Sequence, residues 1–83
     1  MRLRSADISA RKLGDETIVL SLARSRYFAI TGVGRRVFEL LTDERSLDEL
    51  IEVIVDEYDV TTAVARRDIE AFVGRLRDAQ LLA

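Results

Sequence analysis

Apolar and polar residues alternate through the N-terminal part of this chain. After residue 31 the apolar positions fall instead three and four apart. Residues 16–22 alternate cleanly, with Ile18, Leu20 and Leu22 on one face and Thr17, Val19 and Ser21 on the other. That period of two predicts a half-buried strand. Residues 26–31 (Arg-Tyr-Phe-Ala-Ile-Thr) read as another short strand, with Phe28 and Ile30 inward and Tyr27 and Ala29 outward. Residues 7–13, Asp7 to Leu13, make a weaker strand candidate. Gly14 and Asp15 suit a tight turn, because glycine tolerates positive φ and aspartate favours turn positions. Ala23-Arg24-Ser25 connects the next pair. The expected product is an antiparallel meander whose last strand, from Arg26 onward, has an open edge. So small a sheet needs a cover.

Helices supply it. Residues 32–41 place Val33, Val37, Leu40 and Leu41 at helical spacing, and Thr31 is positioned to cap them. Gly32 and Gly34 lower the intrinsic propensity of the first turn and are read as permitting close packing on the sheet. A phosphate cradle would want a longer glycine-rich loop and a lysine. A second helix starts at Ser46, where Glu49 three residues on completes a capping box. Leu47, Leu50, Ile51, Ile54 and Tyr58 form its apolar stripe, with Asp48, Glu49, Glu52, Asp56 and Glu57 largely opposite. Asp59-Val60 turns the chain into a third helix running from 61 or 62 to 79. Ala65, Ile69, Phe72, Val73 and Leu76 are its buried stripe, bordered by Val64, Asp68, Ala71 and Arg75. Leu81-Leu82 is expected to fold back and close the base. There is no proline and no linker composition. The fold class is α+β: a winged-helix-like β-β-β-α-α-α chain, with a three-stranded antiparallel sheet packed on three helices in one domain, residues 1–83.

Composition narrows the function. A chain of 83 residues buries only roughly 60–65% of its unfolded surface, so it has little stability to spare. Cysteine and histidine are both absent, which removes thiol nucleophiles, disulfides, the commonest general base and the commonest metal ligands. Catalysis would have to rest on carboxylates, hydroxyls or Lys12, so a non-catalytic protein without cofactor or metal is expected. Charge is unevenly placed. Residues 1–36 carry eight Arg or Lys against three acids, a net +5, and residues 37–83 carry five Arg against twelve acids, a net −7. A nucleic-acid binder normally shows a basic face without an acidic neighbour, so no nucleic acid is expected. The basic half could attract an acidic peptide. No apolar run approaches the ~20 residues of a membrane span, and the Met-Arg-Leu-Arg start lacks a signal peptide's apolar core. A cytoplasmic location, away from membranes, is the expectation.

Two segments carry partial signals of other chemistries. Ser46-Leu47-Asp48 resembles the phosphopantetheine site of a small acyl-carrier domain. However, Arg45 stands where carriers have an acid, strands replace the long preceding helix, and the capping box accounts for Ser46. A winged-helix DNA-binding regulator would need exposed arginines on a reading helix. Arg66, Arg67, Arg75 and Arg77 lie on the third helix, but Asp68, Glu70 and Asp78 are interleaved with them, and no aromatic platform for single strands is evident. Acid pairs at helical spacing, such as Asp48 with Glu52, read as a solvated face. An open strand edge beside a helix, by contrast, is a place where an extended peptide adds by main-chain hydrogen bonding.

The ordered set Arg26-Tyr27-Phe28-Ala29-Ile30-Thr31, Val33-Gly34 and Phe38-Glu39-Leu40-Leu41 resembles the PqqD-like family of precursor-peptide recognition domains. Ser46 to Leu50, Glu57-Tyr58-Asp59-Val60, Asp68-Ile69 and Leu76 to Leu82 continue the likeness, which spans the chain from about Ile8. The Ser25 to Phe28 segment is most similar to the stand-alone leader-binding proteins of lasso-peptide pathways. Two positions depart from the family pattern. Thr31 stands where Asn or Asp is frequent, and Gln80 where glycine is common, so the last helix is expected to end without a left-handed cap. The resemblance implies that a precursor's leader lies as an extra strand along the third strand, against the third helix. It implies Arg26, Tyr27, Phe28, Ala29 and Ile30 as the pairing strand, and Val64, Arg67, Asp68, Phe72, Arg75 and Leu76 as the helical wall. It further implies a separate leader peptidase and a macrolactam-forming cyclase as partners.

Overall fold

Strand pairing sets the layout of the molecule. The computed structural model describes every residue except 5, 7 and 23. The expectations for Asp7 and Ala23 therefore lie outside the described residues. Three strands come first: β1 (Ile8–Leu13), β2 (Glu16–Ser21) and β3 (Arg26–Ile30). Three helices follow: α1 (Val33–Leu40), α2 (Leu47–Glu57) and α3 (Thr62–Asp78). The strands form one antiparallel sheet in the order β1-β2-β3, so β3 is an edge. Gly14, at φ +58, makes the first turn.

Register decides which face of the sheet is buried. Val19 pairs with Phe28 and Ala10, while Leu20 pairs with Tyr27 and Ser9. Directly paired residues share a face. Phe28 and Ile30 turn toward the helices, so their partners Val19 and Thr17 must do the same. Thr17, Val19 and Ser21 are accordingly buried. The more apolar row of β2 is left outside, with Leu20 37% and Leu22 58% exposed. Alternation alone favours the reverse. Pairing overrides it because a one-residue slip would turn every side chain of the strand over.

The first helix begins differently from the sequence expectation. Its N-cap is Gly32, at φ 61 and ψ −141, with no side-chain cap bond, so Thr31 does not cap it. The sharp strand-to-helix corner needs a positive φ, which glycine adopts without strain. The two glycines thus divide the work. No atom lies near a Cβ built on Gly32, whereas one on Gly34 would sit 3.1 Å from Phe72 and 3.2 Å from Ile30. Val37, Leu40 and Leu41 are buried as expected, Val33 only partly, and Phe38 joins the core.

The capping box of α2 is complete. The Glu49 N–H donates to Ser46 Oγ at 3.1 Å, and the Ser46 N–H donates to Glu49 Oε1 at 2.9 Å. Leu50, Ile51 and Ile54 are buried. Tyr58 does not continue the stripe: it is the extended C-cap (φ −121, ψ 152) and partly exposed. In α3, capped by Thr61, the whole stripe of Ala65, Ile69, Phe72, Val73 and Leu76 is buried.

The C-terminal end of α3 corrects another expectation. Gln80 does take a left-handed conformation, φ 59. Leu81 N donates to Leu76 O at 2.9 Å and Gln80 N to Arg77 O at 3.0 Å, the double bond pattern of a Schellman cap. The motif turns Leu81, 1% exposed, into the core. Leu82 then bridges Leu3, and Leu3 N donates to Leu41 O at 2.8 Å. Across the helices, Arg36 grips Glu57 through two bonds of 2.8 Å. No helix is long and apolar enough to cross a membrane.

Candidate functional site

β3 pairs with β2 along one edge, and no strand pairs with its other edge among the described residues. That edge borders a groove of about 470 Å³ whose opposite wall is α3. Two contacts orient the walls. Near one end, Ile30 and Phe72 both lie close over Gly34, 3.2 and 3.1 Å from a Cβ built there. At the other, Arg24 Nε donates to Gln80 Oε1 at 3.2 Å. Strand and helix therefore run in opposite senses along the groove.

Eight of the eleven residues expected in the site line this groove: Arg26, Phe28, Ala29 and Ile30 from the strand, and Asp68, Phe72, Arg75 and Leu76 from the helix. Three do not. Tyr27 projects from the outer face of the sheet, 74% exposed, and only its main chain belongs to the edge. Val64, half-buried, and Arg67, exposed, sit on α3 away from the lining. The floor includes residues that the sequence marked only as core, close-packing or closing positions and not as site residues. Val33, Gly34 and Val37 of α1, Ile69 of α3 and Leu81 beyond it complete the apolar surface, while Thr31 and Asp78 stand at its rim. Helical periodicity marks Val37 and Ile69 as core. Both are fully buried and back the groove from beneath, a placement that no local pattern marks.

Charge is sparse and placed on the walls. The Arg26 guanidinium lies over the Phe28 ring, 5.4 Å from its centroid, and that of Arg75 over the Phe72 ring at 5.6 Å. Asp68 is met by Arg67 at 3.4 Å. Among the described residues no cluster of ligands could hold a metal ion. A broader hollow of about 970 Å³ lies along α2, but ion pairs cross it, Arg36 with Glu57 at 2.8 Å and Arg66 with Asp48 at 3.5 Å. An apolar trough beside an unpaired strand edge can hold an extended chain, with backbone bonds on one side and alternate side chains in the floor.

The family model described as coenzyme PQQ synthesis protein D (PqqD) matches residues 16–82. The chain belongs to the PqqD family. Two solved structures resemble this PqqD-family chain over nearly its whole length. TbiB1 in complex with the TbiA(beta) leader peptide is 29% identical, with a TM-score of 0.88 over 99% of this chain and 94% of that one. Lasso peptide synthetase B1 complexed with the leader peptide is 25% identical, with a TM-score of 0.83 over 96% and 93%. Comparison with curated proteins gives no significant match. The order of three antiparallel strands and three helices is thus the α+β PqqD-like fold.

Proposed function

We propose that this PqqD-family chain binds the leader region of a ribosomally made precursor peptide, by strand addition to β3 beside α3. The observation that carries the reading is the open β3 edge facing an apolar groove, in a fold shared with two leader-bound proteins. Main-chain bonds to the edge would supply affinity, and the floor around Phe28, Ile30, Phe72 and Leu76 would take alternate leader side chains. The role is non-catalytic, with no cofactor. The chain offers no histidine or cysteine, and the groove presents arginines and aspartates over an apolar floor. The domain, residues 1–83, would hand its cargo in the cytoplasm to a separate leader peptidase and a macrolactam-forming cyclase, raising their effective substrate concentration. A DNA-binding role is disfavoured by the acids of α2, Asp48, Glu49, Glu52, Asp56 and Glu57.

Hydrogen exchange tests the reading directly. Added leader, from a precursor encoded beside this chain's gene, should slow amide exchange in residues 26–30 and along the facing side of α3. Protection confined to other segments would refute strand addition at β3.

A further inference from the structure

Two arginines line the groove, one on each wall. Arg26 stands on the strand wall over Phe28, and Arg75 on the helical wall over Phe72. Both line the same cavity. Strand and helix run in opposite senses, with Ile30 near Phe72 and Arg24 bonded to Gln80. Arg26 and Arg75 therefore fall on the same reach of the groove. Neither has an ion-pair partner among the described residues, although eight other arginines and lysines do or hydrogen-bond elsewhere in the fold. The groove's carboxylates do not satisfy them: Asp68 is engaged by Arg67, and Asp78 makes no ion pair with either.

A guanidinium held over an aromatic ring by cation–π attraction can still offer N–H donors beyond the ring, and these match a carboxylate in a two-bond fork. The ring also restricts the side chain, so less freedom is lost when the fork closes. A peptide filling the trough strips water from both guanidiniums. A buried cation without a partner is costly, and a second cation between the two is worse.

We infer that Arg26 and Arg75 form a two-walled clamp for an acidic side chain of the bound peptide, so that the groove selects extended peptides carrying an Asp or Glu among their apolar anchors. This rests on the leader-binding reading above and adds the charge that the leader must present. The clamp is a specificity device: the apolar floor accepts many sequences, and the arginine pair fixes the register in which they lie.

Selection from a displayed library of random dodecamer peptides tests it, with the intact domain as bait beside Arg75→Glu and Arg26→Glu variants. Both residues are exposed, so the variants should fold. Arg75→Gln, which keeps a polar, unbranched side chain and avoids a new acid in the last turn of α3, serves should the reversal unfold the helix end. Wild-type winners should carry an acid at one position relative to their apolar residues. Converting it to the amide should weaken binding by roughly tenfold or more, the range for hydrogen bonds to charged groups. Arg75→Glu should instead select Lys or Arg there. Winners that protect residues 26–30 from exchange but show no acid preference, or the same preference with the reversed variants, overturn the clamp and leave peptide binding standing. Recovery of no peptide that protects β3 overturns both.

Discussion

At Gln80 a residue with a Cβ is held at φ 59, where a non-glycine side chain costs about 1–2 kcal/mol. The Schellman bonds to Leu76 and Arg77, and the burial of Leu81 that they permit, offset this. Glycine would remove the strain but adds about 0.4–1 kcal/mol of unfolded-chain entropy. Gln80→Gly should therefore stabilise the domain by about 0.5–1 kcal/mol, raising its Tm by about 2–8 °C in a thermal melt. Gly34 has the opposite sensitivity. An added Cβ would meet the Phe72 ring at 3.1 Å and Ile30 Cγ2 at 3.2 Å, and an aromatic edge in a packed core cannot yield cheaply. Gly34→Ala should cost about 1–2 kcal/mol in denaturant unfolding and lower peptide affinity by pushing Phe72 into the groove. An unchanged midpoint and affinity would mean that the floor relaxes freely.

Helix α2 is held by charged contacts at both ends. At its start, the Ser46 backbone N–H, then its hydroxyl, hold the Glu49 carboxyl below the ordinary glutamate range. At its end, hydrogen bonds from the Arg36 guanidinium lower Glu57 in the same way, tying α2 to α1. A carboxylate whose folded pKa is depressed contributes stability above its unfolded pKa and loses it as pH falls through the folded value. The domain should therefore weaken through the acid range below ordinary glutamate titration. Glu57→Gln should be less stable at neutral pH and show a shallower acid-side fall, read from denaturant midpoints against pH. Because both carboxyls are solvent-exposed, added salt should reduce the difference between the two proteins.

For the whole molecule, strand addition at the β3 edge would couple binding to stability. The two chain ends meet at the Leu3–Leu82 bridge, and β1 is paired along β2, which leaves β3 as the edge beside the groove. A ligand that binds only the folded form stabilises it by mass action, about 2.7 kcal/mol at a hundredfold excess over Kd. Leader titrated into the domain should raise its Tm in step with ligand concentration, and a scrambled peptide of the same composition should not. The outer face of the sheet, with Leu20, Leu22 and Tyr27 exposed, lies on the other side of the edge strand from the groove.

Local signals in the sequence determined much of this protein. The alternation from Arg26 to Ile30 set Phe28 and Ile30 inward and Tyr27 outward, Ser46 with Glu49 marked the start of α2, and the spacing of Ala65, Ile69, Phe72, Val73 and Leu76 drew the buried face of α3. Each depends on neighbours within a turn or a pleat, so it can be read without knowing what lies opposite. Only the tertiary structure decided which face of β2 is covered, that Gly32 rather than Thr31 starts α1, and that Val37, Ile69 and Leu81 join one floor with Phe28. Those outcomes come from pairing register, the angle of a corner and the meeting of segments remote in sequence. A groove is the space between elements, and no single element's pattern encodes it.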